Sequence, residues 1–180
     1  MATTRGINEV LRSLRSARNN IKNKSIQGLI KSAILVRQST EKENPLTPEH
    51  LSNLVHSFFV TTPLGVHDGK SPAWEGKSGG EMEQHHSAVI SKMESEVASS
   101  KEPAMIMGYS ANYALWVHEM VDMNINWTRS GSGPKWFEKA ISRNKDKMLK
   151  AIGHEIKIAL TKNYARTKML SERTEIINIK

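Results

Sequence analysis

The stretch RGINEVLRSLRSARNNIKNKSIQGLIKSAILVRQST, residues 5–40, contains no proline. Its one interior glycine, Gly28, costs a helix only about 1 kcal/mol relative to alanine. Ile7, Val10, Leu11, Leu14 and Ile21 recur at helical spacing, and the stripe resumes with Ile26, Leu29, Ile30, Ala33, Ile34 and Val36. That period predicts one long helix, which needs a covering surface from elsewhere in the chain. The segment between the two stripes, RNNIKNKS, is polar. The second half is therefore expected to be the better buried, and the first half to project.

The remaining segments are shorter. Pro45 and Pro48 make 41–50 a loop, because a helix does not run easily through proline. LSNLVHSFFVTTP reads as a turn entering a strand, on the extended preference of Val55, Phe58, Phe59, Val60, Thr61 and Thr62. Residues 64–80 are rich in Gly, Ser and Pro and are expected to be a long exposed loop. Helical spacing returns over 81–100, with His85 or His86, Val89, Met93 and Val97 on one side. PAMIMGYS reads as a strand. Ser110 is expected to cap a short helix, ANYALWVHEMV. Pro134 is expected to open the last helix, whose stripe is Phe137, Ala140, Ile141, Met148, Ile152, Ile156 and Ala159. Beyond about residue 165 the chain is charged until TEIINIK, whose alternation suggests a terminal strand or arm.

The order predicts an α+β fold: two long helices and shorter helices packed on a small, mainly antiparallel sheet. A single domain is expected over 1–165, carrying the long N-terminal helix and the exposed loop 64–80. Residues 166–180 are expected to form a C-terminal arm. At 180 residues the chain is long enough for a real core. Aromatic residues are only 6% of it, so the core is modest or is completed by a partner.

The formal net charge is +8, unevenly spread. Residues 1–40 carry eight basic residues against one acidic, 41–133 six against twelve, and 134–180 twelve against five. Two basic arms thus flank an acidic middle. They attract nucleic acid, or the acidic middle of a neighbouring copy, if they are not simply solvated. No cysteine is present, which removes disulfides, thiolate metal sites and cysteine nucleophiles. No apolar run approaches the roughly 18 residues that span a bilayer, and the N-terminus lacks the apolar core of a secretory signal. No membrane partner is expected.

Catalytic motifs do not emerge. His118-Glu119 is not followed by a second histidine at zinc-helix spacing, and His118 with Asp122 lacks an evident third ligand. His85 and His86 are sequence neighbours on a helix and point apart. His154-Glu155 reads as a solvated pair. There is no phosphate-binding Gly-x-x-x-x-Gly-Lys-Ser loop and no Gly-x-Ser-x-Gly elbow, and SGSGP reads as a plain turn. No catalytic residue, metal ligand set or cofactor is expected, and the chain is not read as an enzyme. In SANYALWVHEM, residues 110–120, Tyr113, Trp116 and Val117 share one helix face. The simplest expectation packs that face on the sheet, with Glu119 and Asp122 outward.

GYSANYALWVHEM, followed by NWTRSGSGPKWFEKAISRNKDKMLKAI, resembles tailed-bacteriophage neck and tail-completion proteins, typified by the HK97 gp10-like family. The matching residues are Tyr113, Ala114, Val117, His118 and Glu119, then Arg129, Gly131, Gly133, Pro134, Lys135 and Phe137. GINEVLRSLR at the start and TPEHLSNLVHSFFV also fit. The family's usual aspartate and glycine in the latter turn are His50 or Leu51 and Asn53 here, and Ser130 stands where proline is usual.

The resemblance implies a virion structural protein: a ring subunit, typically hexameric, joining the tail to the head connector around a DNA channel. It implies contacts with further copies, with the connector or adaptor, with tail tube or terminator proteins, and with DNA passing through. It places the protein in the virion neck after assembly in the host cytoplasm. The contacts are assigned to Trp74, Tyr113, Trp116, His118, Glu119, Asp122 and Arg129. Arg12, Arg15, Arg18, Lys22 and Lys24 are candidates for the DNA channel or an acidic partner. The alternative is a nucleic-acid-binding protein using the basic N-terminal helix, although that helix has no aromatic residue for stacking.

Overall fold

The computed structural model of the protein describes residues 3–49, 52–70, 72–76, 79–121 and 125–177. Its elements are α1 (Thr3–Lys42), α2 (Asn53–His56), β1 (Phe58–Thr62), β2 (Gly65–Asp68), α3 (Gly79–Ala98), β3 (Ile106–Tyr109), α4 (Ala114–Glu119) and α5 (Trp136–Ile177). This is the expected α+β class, two long helices with a small antiparallel sheet in the order β2-β1-β3.

All five residues of β1 are buried. Strand side chains alternate between faces, so a strand buried on both sides needs two covers. Phe58 and Val60 pack against Ala33 of α1, and α3 packs on β1 as well. Tyr109 of β3 and Phe137 of α5 close the α1 side. A second cluster joins Leu54, Ala111, Ala114 and Trp136, with Met82, Val117 and Phe137 at its edge.

Helices α1 and α5 form a long antiparallel hairpin. Asn20 donates to Asn163 at 3.2 Å near one end. Arg143 donates to the Glu43 carbonyl at 3.0 Å and to Ser39 Oγ at 3.1 Å at the other. The seam is narrow and rich in small and polar side chains. Ser25, Ser32, Ser39, Asn144 and Glu155 are buried in it beside Ala33, Ala140 and Ala159. Gly28 has a packing reason: a Cβ there would lie 2.6 Å from Ile152 Cα. As expected, the second half of α1 is the buried one. Ile7, Val10, Leu11 and Leu14 stay exposed.

Several expectations need correction. The stretch 64–80 is not one open loop, because Gly65, at φ 110°, turns the chain into β2 against β1. Trp74 within it is half-buried and packs edge-on to His86 at 5.2 Å. Ser110 does not cap α4; its hydroxyl lies 2.5 Å from His86 Nδ1, and Tyr113 precedes the helix without a side-chain cap. The last helix opens at Trp136, two residues after Pro134, since Lys135 takes a left-handed φ of 58°. The backbone of α5 runs on to Ile177, so the strand expected in TEIINIK is not formed over its first four residues.

Candidate functional site

The segments around α4 and the start of α5 fold into one unit. The Lys135 backbone N–H donates to the His118 carbonyl at 2.9 Å. Lys135 Nζ lies 2.6 Å from Glu119 and 3.2 Å from Glu138. His118 Nδ1 lies 2.7 Å from Glu119, and its ring meets Trp136 edge-on at 4.8 Å. Trp136 is 1% exposed and anchors the unit in the core. A left-handed φ costs a side-chain-bearing residue of order 1 kcal/mol or more, so the conformation of Lys135 is held by these bonds. Hydrogen bonds from Lys135 and His118 hold the Glu119 carboxyl below the usual range. The hydrogen bonds that Lys135 donates to Glu119 and Glu138 raise its own pKa.

The aromatic face of α4 does not pack on the sheet. Trp116 is 74% and Leu115 69% exposed, and Tyr113 and Val121 are exposed as well. Ala114 and Val117 face the core instead. Spacing tells which residues share a face, not which face turns inward. Small Ala114 lets α4 sit close to Trp136, and the large side chains are left outside. Asp122 lies outside the described residues.

Beside α4 opens a cleft of about 430 Å³. Leu54, Met82, Tyr113, Val117, Ile125 and Trp127 give it an apolar wall, with Glu49, Asn53, Asn126 and Thr128 as its polar groups. Asn53 braces the neighbourhood by donating to the Glu75 carbonyl and accepting from the Glu75 N–H, both at 2.8 Å. Arg129 is engaged within the chain. It donates to the Glu41 carbonyl at 2.8 Å and pairs with Glu49 at 3.3 Å, tying the loop before α5 to the end of α1.

The basic candidates on α1 divide. Lys24 pairs with Glu155 at 3.1 Å, and Lys22 donates to the Lys101 carbonyl at 3.1 Å. Arg12, Arg15 and Arg18 are exposed, with no acidic partner among the described residues. Glu155, read from sequence as half of a solvated pair, is 3% exposed and also pairs with Lys31. Hydrogen bonds from Lys31 and Lys24 hold its carboxyl below the usual range. The available signal was its place between Ile152 and Ala159 on the buried stripe.

The pair His86 and Ser110 was not singled out from sequence either. His86 Nε2 contacts the Gly69 carbonyl, which only accepts, so Nε2 carries the proton and Nδ1 accepts from the Ser110 hydroxyl. Both residues are buried, and they knot α3, the end of β3 and the segment after β2. Among the described residues, no group of three His, Asp or Glu side chains is placed to hold a metal ion, and no helix is long and apolar enough to cross a membrane. Compared with family models, curated proteins and solved structures, the chain has no significant match.

Proposed function

We propose that this chain is a virion structural protein, a neck or tail-completion subunit that assembles into a ring, a hexamer on the resemblance, between the head connector and the tail. One observation carries the reading. The two segments that bear the resemblance meet where His118 and Glu119 contact Lys135 and Trp136, and the unit they form turns Trp116 outward beside an apolar cleft. An exposed aromatic anchor next to a cleft is the composition of a protein contact. The ion pair of Lys135 with Glu119 and the hydrogen bond between His118 and Glu119 are spent on holding that unit together. Connector, adaptor, tail tube or terminator proteins are the neighbours of such a ring, and packaged DNA passes through its channel.

A second reading rests on Arg12, Arg15 and Arg18, whose exposed guanidinium groups suit phosphates. Light scattering of the purified protein, with and without a short DNA duplex at low and moderate salt, separates the two. An oligomer, or a single copy indifferent to the duplex, is the expected result. A small species that binds the duplex and releases it as salt rises overturns the structural reading in favour of the second.

A further inference from the structure

We propose that the N-terminal part of α1, residues 7–18, seats in the cleft beside α4 of a second copy of this chain, a head-to-tail contact. The inference rests on the assembly reading above and names the two surfaces that carry it.

The first surface is the tip of α1. Ile7, Val10, Leu11 and Leu14 form one exposed stripe, with Leu14 61% exposed. At about 100° per residue, Arg15 borders that stripe and Arg18 continues it one turn beyond Leu14, while Glu9 falls on the opposite side. The tip therefore offers an apolar ridge with one guanidinium group beside it and another at its inner end.

The second surface is its complement. The cleft wall of Leu54, Met82, Val117 and Trp127 is apolar, and Trp116 stands exposed on the adjoining α4. Glu81 and Glu83 flank Met82, are exposed, and have no basic partner among the described residues. An apolar groove with unpaired carboxylates on either side of Met82 along α3 complements an apolar ridge that carries free guanidinium groups.

The two surfaces do not meet within one molecule. Thr47 bonds back to Thr40 at the far end of α1, and Pro48 and Glu49 line the cleft directly after it. Leu14 and Thr40 belong to one unbroken helix, so the tip stands about 39 Å from the cleft end at 1.5 Å per residue. The partner is another copy, and two different patches meeting head to tail generate a ring or a filament.

The test uses Leu14→Glu in the tip and Trp116→Glu on the cleft side. Both positions are exposed, so the circular dichroism of each variant should match the unmodified protein. The unmodified protein should self-associate, more weakly at high salt. Each variant alone should lose association roughly 10- to 100-fold. Mixed, they should form a one-to-one dimer and nothing larger, because one copy retains its cleft and the other its tip. A mixture that stays single-copy, or a Trp116→Glu variant that assembles normally, overturns the proposal. So does an unmodified protein that remains a single copy. That last result leaves a neck role through other virion proteins standing, whereas salt-sensitive duplex binding by a small species removes the functional reading itself.

Discussion

Replacing Gly28 by alanine sets two effects of opposite sign against each other. In an ordinary helix the change is favourable by about 1 kcal/mol, because glycine loses more backbone freedom on folding. Here the new Cβ would stand 2.6 Å from Ile152 Cα and 3.4 Å from the Ala151 carbonyl oxygen. Carbon atoms in contact prefer about 3.5–4.0 Å, so α1 and α5 must part locally by about 1 Å. Both obstacles lie on or next to helix backbone, so no flexible side chain can simply swing aside. Parting the seam stretches the Ser32 Oγ bond to the Met148 carbonyl, now 3.2 Å, and the Lys24 pair with Glu155, now 3.1 Å. Overpacking of this kind costs about 1–3 kcal/mol, and with two bonds strained the upper end applies, leaving a net loss of about 2 kcal/mol. Gly153 is the control. It lies exposed on α5 with no atom within 4 Å of its would-be Cβ, so Gly153→Ala should be stabilising by up to about 1 kcal/mol. Urea titration followed by far-ultraviolet circular dichroism reads both variants, with the midpoint moving down for the first and up for the second at unchanged slope. A Gly28→Ala protein as stable as its parent, or more so, would refute the close approach of the two helices.

Two further substitutions probe separate parts of the structure. Glu155→Gln should lower stability at neutral pH, since an amide cannot satisfy both Lys24 and Lys31. The folded-state pKa of Glu155 is lowered, so its contribution is present above the ordinary carboxylate range and is lost as pH falls through the lowered value. The gap between urea midpoints at about pH 7 and about pH 3 should shrink in the variant without closing, because Glu119 is lowered too; an unchanged gap would count against the buried pair. Asn53→Ala removes two bonds to the Glu75 backbone and should cost about 2 kcal/mol while loosening 72–76. Limited proteolysis at that segment is the readout, and equal resistance in both proteins would contradict the bracing role.

The long helices were legible because they depend on local information: no proline, a sustained period and few breakers. Strand β1 was legible for the same reason, as a short apolar run rich in Phe, Val and Thr. What stayed hidden depended on partners far along the chain. Glu155 is buried by lysines 131 and 124 positions away, and no single-helix pattern reveals a salt bridge of that reach. The outward turn of Trp116 was hidden because the spacing of α4 fits either orientation, and the choice is made by Trp136 and His118 across the turn. Ser110 looked like a cap because serine caps helices, but buried His86 offered it a stronger claim. The assignment of contacts to α4 and Arg129 came from resemblance; their geometry separates an exposed pair, Leu115 and Trp116, from an internal staple, Arg129.

The narrow seam of the hairpin, with its buried polar groups, has a consequence for how the chain tolerates change in length. A seam of leucines can slide by a turn and still satisfy every contact. One built on Gly28, Ser32 and Glu155 offers a single alignment, because any slip strands a buried carboxylate or drives a side chain into backbone. Adding one residue near the tip of α1 would advance it about 1.5 Å and rotate its stripe by about 100°. Adding seven would lengthen the helix by about 10 Å yet return the stripe almost to its original bearing, within about 20°. Variation in this element should therefore arrive in steps of roughly two helical turns, like the pitch of a screw cut to one thread.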